Sequence, residues 1–200
     1  MDNYKELIKN RRPDIRHVSD MKEVIYDKEW LKNAPDSELY YMYRKVKEEN
    51  GLVNHITIVP SKMLGKEYVK TKGHYHTKPN YGEVYAVLEG QGLFLGQKEK
   101  NGIIEDVFCV KAKKGEYVAI PPDYGHIMIN DSSEELVTMD WSSEDCKGNY
   151  EPILEKKGAC YYYIKSGWIK NENYEKVPEL RFKEPLKSMP ENLDFLYGKQ

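Results

Sequence analysis

His74 and His76 lie one residue apart in the run KGHYHTKPNYGEVYAVLEG, within a chain of 200 residues that holds 5 histidines. Successive side chains of an extended strand leave on opposite faces, so both imidazoles project to one side and Tyr75 to the other. Two imidazoles crowded on one face repel when protonated, and neither packing nor a hydrogen-bonded ladder requires them. A shared divalent ion does, because neutral imidazole nitrogens bind first-row metals at about 2 Å. Glu83 follows the turn TKPNYG at the start of the next apolar run. It is a third candidate ligand, which a hairpin would return to the histidines. His126, in IPPDYGHIMIN, is a fourth, where prolines and a glycine deliver the chain into another strand. A single histidine beside a sheet is ordinarily a hydrogen-bonded packing residue, so the set of four carries the metal reading. His17 and His55 have no such company and read as ordinary residues.

Ligands spaced this way need rigid elements to hold them. From Glu38 onward the chain supplies short runs rich in β-branched and aromatic residues: ELYYMYRKV, LVNHITIVP, KEYVKTKGHYH, YGEVYAVLEG, QGLFLGQ, EDVFCVKA, GEYVAIPP, HIMIND and ELVTMDWS. Gly, Asn, Asp or Pro signals separate them every ~8–12 residues, the rhythm of an all-β sandwich or closed barrel. GACYYYIKSGWIK adds a hairpin-like pair around Gly167. Ahead of the strands, Ser19 or Asp20 is placed to cap one helix over MKEVIYDKEWLKNA that Pro35 stops. The expected division is an arm with a helix over residues 1–37, a β-barrel over 38–170 and an extended tail over 171–200. Leu180, Phe182, Leu193 and Phe195 anchor that tail, with disorder expected at its end.

Composition narrows the partners. Lys and Arg number 31 against 33 Asp and Glu, a formal net charge of −2 that argues against nucleic acid or an anionic membrane as the main partner. No apolar run approaches the ~20 residues of a membrane span. The opening MDNYKELIKNRRPDIR lacks the apolar core of a signal peptide, so a cytoplasmic protein is expected. Cys109, Cys146 and Cys160 are odd in number and show no CxxC spacing, which fits reduced thiols better than a disulfide or thiolate zinc site. The 17 tyrosines against 4 phenylalanines suit half-buried sheets and polar pockets. The tyrosine-rich strands ELYYMYRKV and ACYYYI would serve an interface between two copies, since barrel edges need cover, and a homodimer is expected.

These residues resemble the two motifs of the cupins. Gly73, His74, His76, Glu83 and Gly90 match the first, and Gly115, Pro121, His126 and Asn130 the second. Six residues separate His76 from Glu83, more than in cupins at large, and Asp123 replaces an inner glycine of the second motif. The longer gap, with TKGHYH and EVY around it, is similar to one subfamily, the cupin-type glucose-6-phosphate isomerases, over roughly residues 40–165. The resemblance implies a single cupin barrel (a double-stranded β-helix or jelly roll) and an isomerase of glucose 6-phosphate and fructose 6-phosphate. It implies one divalent ion per subunit, Fe2+ first and Ni2+, Mn2+, Co2+ or Zn2+ as alternatives, held by His74, His76, Glu83 and His126.

Three histidines and a carboxylate leave adjacent positions open for the C1 and C2 oxygens of an open-chain sugar. Aldose–ketose exchange then moves one hydrogen between those carbons, by proton transfer through an enediolate or by hydride shift. Glu83 and His126 are the catalytic candidates. Thr57, Thr71, Lys72, the Gly73 amide and Lys78 are candidates for the phosphate, and Tyr85 and Tyr150 for the sugar. Where the subfamily carries a Tyr and a His lining this pocket, Ser142 and Gly148 stand here, with Trp141 available to cover that surface. Two other readings use the same donors: a metal dioxygenase, and a non-catalytic sugar-binding cupin. A dioxygenase has no use for Thr71, Lys72 and Lys78 at its mouth, and a binding module has no need to keep all four ligands.

Overall fold

The computed structural model of the chain describes residues 3–199. In chain order, α1 (Tyr4–Ile8), β1 (Asp14–His17), α2 (Val18–Met21) and α3 (Lys28–Leu31) precede the long strands β2 (Glu38–Glu49) and β3 (Leu52–Val59). Three short strands follow: β4 (Met63–Leu64), β5 (Glu67–Tyr68) and β6 (Tyr75–His76). Then come β7 (Glu83–Glu89), β8 (Gln91–Lys100), β9 (Ile103–Lys113), β10 (Tyr117–Ile120), β11 (Tyr124–Ile129) and β12 (Leu136–Ser143). β13 (Gly148–Asn149), α4 (Glu151–Glu155), β14 (Tyr161–Ile164), β15 (Gly167–Lys170) and β16 (Arg181–Lys183) complete the order, before a 3-10 turn at Asp194–Tyr197.

Two sheets carry the fold. One runs β1-β2-β3-β12-β7-β10 and the other β11-β8-β9-β16, with smaller sheets β15-β14-β5-β4 and β13-β6 beside them. This is an all-β jelly roll whose ladders stay in separate sheets instead of running unbroken around a barrel. Local chemistry sets the register. Asn50–Gly51 and Asn101–Gly102 both take left-handed φ (52° and 76°, 55° and 80°), the turn that suits the twist of a two-residue hairpin, and they join β2 to β3 and β8 to β9. Gly90 (φ 70°) turns β7 into β8 where a Cβ would stand 2.1 Å from the Glu135 carbonyl oxygen.

Alternation sorts each strand's two faces. Tyr85 and Val87 of β7 join Phe94, Phe108, Ile120 and Ile127 in the core between the two main sheets. Ala86 and Leu88, on the opposite face, meet Val46, Ile56, Val137 and Met139 under Tyr4, Leu7 and Ile8 of α1. The tail covers the same outer face further along, where Leu196 is fully buried against Leu52 and Val84, with Leu193 and Phe195 beside it. Enclosing a leucine this completely stabilises by roughly 1.5–3 kcal/mol.

Several expectations change. The single capped helix becomes two short ones. Ser19 and Asp20 lie inside α2, whose N-cap is His17, and the Asp20 side chain reaches back to accept from the His17 N–H at 2.9 Å. The helix α2 ends at Met21 and the chain restarts at α3, where the N-cap Asp27 accepts from the Trp30 N–H at 3.0 Å. Val24 and Ile25, between the two helices, are wholly buried. β1, within the arm, pairs with β2 as a full member of the large sheet. The run KEYVKTKGHYH is not one strand: β5 and β6 are separated by single bridges, Lys70 to Ile129 and His74 to His126. In the tail, Phe182 is 69% exposed, because β16 pairs edge-on with β9 and turns that ring outward. The tail does not run extended to its end: residues 194–197 form the 3-10 turn, and Gln200 lies outside the described residues. β2 is flanked by β1 and β3, and β14 by β15 and β5, so the edges nominated for a partner copy are paired within the chain. Among the described residues no helix is long and apolar enough to cross a membrane.

Candidate metal centre

The inner face of the large sheet is one wall of a cavity of about 400 Å³. Period two decides what reaches it: Tyr40, Met42 and Arg44 from β2, Val53, His55 and Thr57 from β3, Asp140 and Ser142 from β12, Glu83 and Tyr85 from β7. The opposite wall is the extended stretch 71–76 together with His126 and Met128 of β11.

His74 and His126 face each other as a bridged pair, each N–H donating to the other's carbonyl (3.2 and 2.9 Å), and their rings stand 4.5 Å apart. His76 lies 5.6 Å from the His74 ring and 5.5 Å from the His126 ring. Glu83 does not arrive by a hairpin, since β6 pairs with β13 while β7 lies in the large sheet between β12 and β10. Its carboxylate reaches the histidines across the gap between walls. Glu83 Oε2 stands 3.0 Å from His76 Nε2, 3.1 Å from His126 Nε2 and 4.0 Å from His74 Nε2. One donor atom from each residue lies within 4.8 Å of all the others. Glu83, His76 and His126 are almost fully enclosed, whereas the His74 side chain keeps 23% exposure toward the cavity mouth. Tyr75 points away, its hydroxyl accepting from Gln97 Nε2 at 2.7 Å.

The electrostatics are those of a set short of positive charge. Burial opposes ionisation of Glu83, yet hydrogen bonds from His126 and His76 hold its carboxyl well below the ordinary range. Burial, then the neighbouring His126, pushes the His74 imidazole well below its usual value. For His76 burial is outweighed by its contacts with Cys146 and Glu83, which raise it to about 11. Asp140, buried beside Glu83, is pushed well up by desolvation and that neighbouring charge. The His76 Nδ1–H donates to the Tyr81 carbonyl at 2.8 Å, which fixes the ring with Nε2 turned toward Glu83. The donors, three imidazoles and a carboxylate aimed at one point, fit a divalent first-row ion.

The other sequence candidates divide. Thr57, Thr71, Lys72, Gly73, Tyr85 and Tyr150 all line the cavity. The Thr71 hydroxyl accepts from the Met128 N–H at 3.0 Å, which leaves its own hydrogen to donate. Gly73 (φ 81°) passes so close to β11 that a Cβ would stand 2.2 Å from Ile127 Cγ2. The Tyr150 ring lies 5.5 Å from His74, with the Lys72 ammonium 5.8 Å from its centre. The Tyr85 hydroxyl sits 3.0 Å from His126 Nε2, so it meets the metal set itself. Lys78 is not in the cavity: it pairs with Asp145 at 3.7 Å and lies over the Tyr81 ring. Trp141 faces the outer side of the sheet near Tyr117, and Ser142, its neighbour on the other face, takes the cavity position. Gly148 is tight, since a Cβ there would stand 3.0 Å from His74 Cδ2. Sequence reasoning missed Asp140, Cys146 and His55 as lining residues. Alternation along β3 from Thr57 would have found His55.

A family model described as glucose-6-phosphate isomerase (GPI) matches residues 15–179. The chain belongs to this family. A glucose-6-phosphate isomerase of Thermococcus litoralis is 32% identical over 156 residues, 75% of this chain and 80% of that protein. One from Pyrococcus horikoshii is 32% identical over 170 residues, 82% of this chain and 87% of that protein. Among solved structures, a Lactobacillus farciminis oxalate decarboxylase aligns with 54% of this chain and 29% of its own at TM-score 0.41 and 16% identity. An oxalate oxidase aligns with 60% of this chain and 58% of its own at TM-score 0.43 and 15% identity.

Proposed function

We propose that this GPI family member is a metal-dependent isomerase that interconverts glucose 6-phosphate and fructose 6-phosphate, as in glycolysis and gluconeogenesis. The observation that carries the reading is the convergence of His74, His76, Glu83 and His126 on one point in a cavity whose neighbouring wall offers Thr71, Lys72 and Gly73. These four residues would hold one divalent ion, iron first and nickel, manganese, cobalt or zinc as alternatives. Such an ion supplies Lewis acidity to a sugar carbonyl and its neighbouring hydroxyl.

The chain's own groups do the rest. The Thr71 hydroxyl, the Gly73 backbone and the Lys72 ammonium form an anion cradle, with Thr57 on the facing strand, and hold the phosphate. Tyr85 and Tyr150 flank the sugar, Tyr85 from the floor and Tyr150 over His74. Glu83, whose low carboxyl keeps it ionised, is the base placed to carry a proton between C2 and C1. His126 Nε2 stands 3.1 Å from Glu83 and 3.0 Å from the Tyr85 hydroxyl, which keeps both groups at the same point of the site. The narrow cavity sheds bulk water as the sugar enters, which strengthens every charge interaction inside. We place the protein in the cytoplasm, as a homodimer.

The test strips the protein with chelator and reloads one divalent metal at a time, following fructose 6-phosphate turnover beside His76→Ala. Activity that disappears with the metal, returns with it and is absent from the variant supports the reading. Tight metal binding without sugar phosphate turnover contradicts it. Light scattering on the loaded protein gives the number of copies.

A further inference from the structure

His55 is a polar group in the cavity that the proposed chemistry leaves without a task. Its setting is built by an irregularity in β2. Tyr43 pairs with Ile56 and Lys47 with Asn54, so three residues of β2 oppose His55 alone. The bulge puts Lys45 in the left-handed region (φ 48°), which a lysine adopts only at a cost. That turn aims the Lys45 amide at a ring instead of a carbonyl, and its N–H donates to His55 Nδ1 at 2.9 Å. A backbone amide only donates, so Nδ1 is the acceptor and the ring hydrogen sits on Nε2. From the other side, the His55 N–H donates to Asp140 Oδ1 at 3.0 Å, and Asn54 Nδ2 donates to the Asp140 carbonyl at 2.7 Å. The ring is therefore held by β2 and its backbone by β12. Burial, then the Arg44 charge, lowers its pKa to about 4, so at neutral pH it is uncharged. Among the described residues its Nε2–H has no hydrogen-bond partner, although the residue lines the cavity.

Position says which part of a ligand it meets. His55 stands two residues along β3 from Thr57, so both face the cavity. It lies beside Asp140, the register partner of Tyr85, which reaches the metal set. A phosphate is better served by Lys72 and Thr71, whereas a neutral donor near the metal set suits a hydroxyl oxygen. We propose that His55 is a substrate-binding residue: its Nε2–H binds a hydroxyl oxygen of the sugar chain, in the tautomer set by the Lys45 amide. This rests on the reading that the cavity takes a sugar phosphate.

The test measures calorimetric binding of glucitol 6-phosphate, which cannot isomerise, to metal-loaded wild type, His55→Asn and His55→Gln. Asparagine places an acceptor where Nδ1 was and keeps the Lys45 contact, but carries no donor at the Nε2 position. Glutamine places a donor near Nε2 and loses the acceptor. Loss of one neutral hydrogen bond predicts a Kd for His55→Asn about tenfold weaker, with metal content and melting temperature unchanged. His55→Gln should bind within about threefold of wild type and melt lower. Wild-type affinity in His55→Asn, or weakening confined to His55→Gln, would overturn the proposal and leave His55 as a support for the bulge. Wild type that binds the polyol phosphate without turning over fructose 6-phosphate sinks the isomerase reading alone, and the Asn to Gln ratio still decides His55. No binding by wild type overturns both.

Discussion

Residues 67–76 build two buried charge clusters within a few positions of each other, and the two are finished differently. At Glu67 and Lys70, both almost wholly buried, every strong group has a partner. Lys70 Nζ donates to Glu67 Oε1, Glu67 Oε2 accepts from the Tyr26 N–H at 2.8 Å, and the ammonium lies 4.7 Å from the centre of the Tyr162 ring. At His74, His76, Glu83 and His126 the groups crowd without closing. Three imidazoles share one carboxylate oxygen, and among the described residues the buried His126 Nδ1 has no hydrogen-bond partner. A closed pair needs nothing further and serves to hold the fold. A convergent, unfinished set is organised around a charge that must come from outside.

That contrast can be broken from either side. The largest effect is expected at the open set: Glu83→Gln or His76→Ala removes a ligand and should lower turnover by on the order of 10³-fold, since the lost charge stabilisation is several kcal/mol. Metal analysis should show the ion gone, while the melting temperature of the metal-free protein changes little. At the closed pair the pattern inverts. Lys70→Met strands a buried carboxylate, which costs about 3–5 kcal/mol in denaturant unfolding, while activity per folded molecule is kept. A matching loss of stability at both clusters would remove the distinction between them.

A third variant tests the backbone that carries the histidines. Gly73→Ala meets both a positive φ and Ile127 Cγ2, so it should cost roughly 1–3 kcal/mol and weaken substrate binding with it. Equal stability of wild type and variant would show that β11 yields easily there. The smallest effect belongs to the surface, where Arg181 clasps Asp106 at the junction of β16 and β9. Burial raises the Asp106 carboxyl, but Arg181 and Tyr124 outweigh it and leave it below the ordinary value. A depressed carboxylate contributes stability above its unfolded pKa and loses it as pH falls through the folded one. Arg181→Ala should thus cost a little stability at pH 7, and the gap to wild type should close as the acid range is entered. A gap that persists at low pH would assign Arg181 a packing role.

Much of this arrangement could be read from residue order because it depends on alternation. His74 and His76 flank an outward Tyr75, Glu83 and Tyr85 share a face, and most of the strand runs fall where turn residues predict them. The missed parts depend on departures from alternation. Alternation from Thr57 puts His55 in the cavity, but nothing in ELYYMYRKV shows that three residues of β2 will face it and supply the Lys45 amide. Lys78 follows His76 by two residues, yet the turn at Pro79–Asn80 has begun and carries it out to Asp145. Trp141 and Ser142 are neighbours on opposite faces, and only the pairing of Ser142 with Val53 and Trp141 with Val84 tells which one looks inward. The split helix has the same character, for its caps lie in its own sequence, at His17 and Asp27, and compete with the apolar spacing that suggests one element.

The most direct test of the central claim is an anomalous-diffraction map of crystals loaded with a single divalent metal. One strong peak is predicted, within about 2.0–2.2 Å of three imidazole nitrogens, from His74, His76 and His126, and of a Glu83 oxygen. A peak elsewhere, or none between those four side chains in protein shown to bind metal in solution, would contradict it.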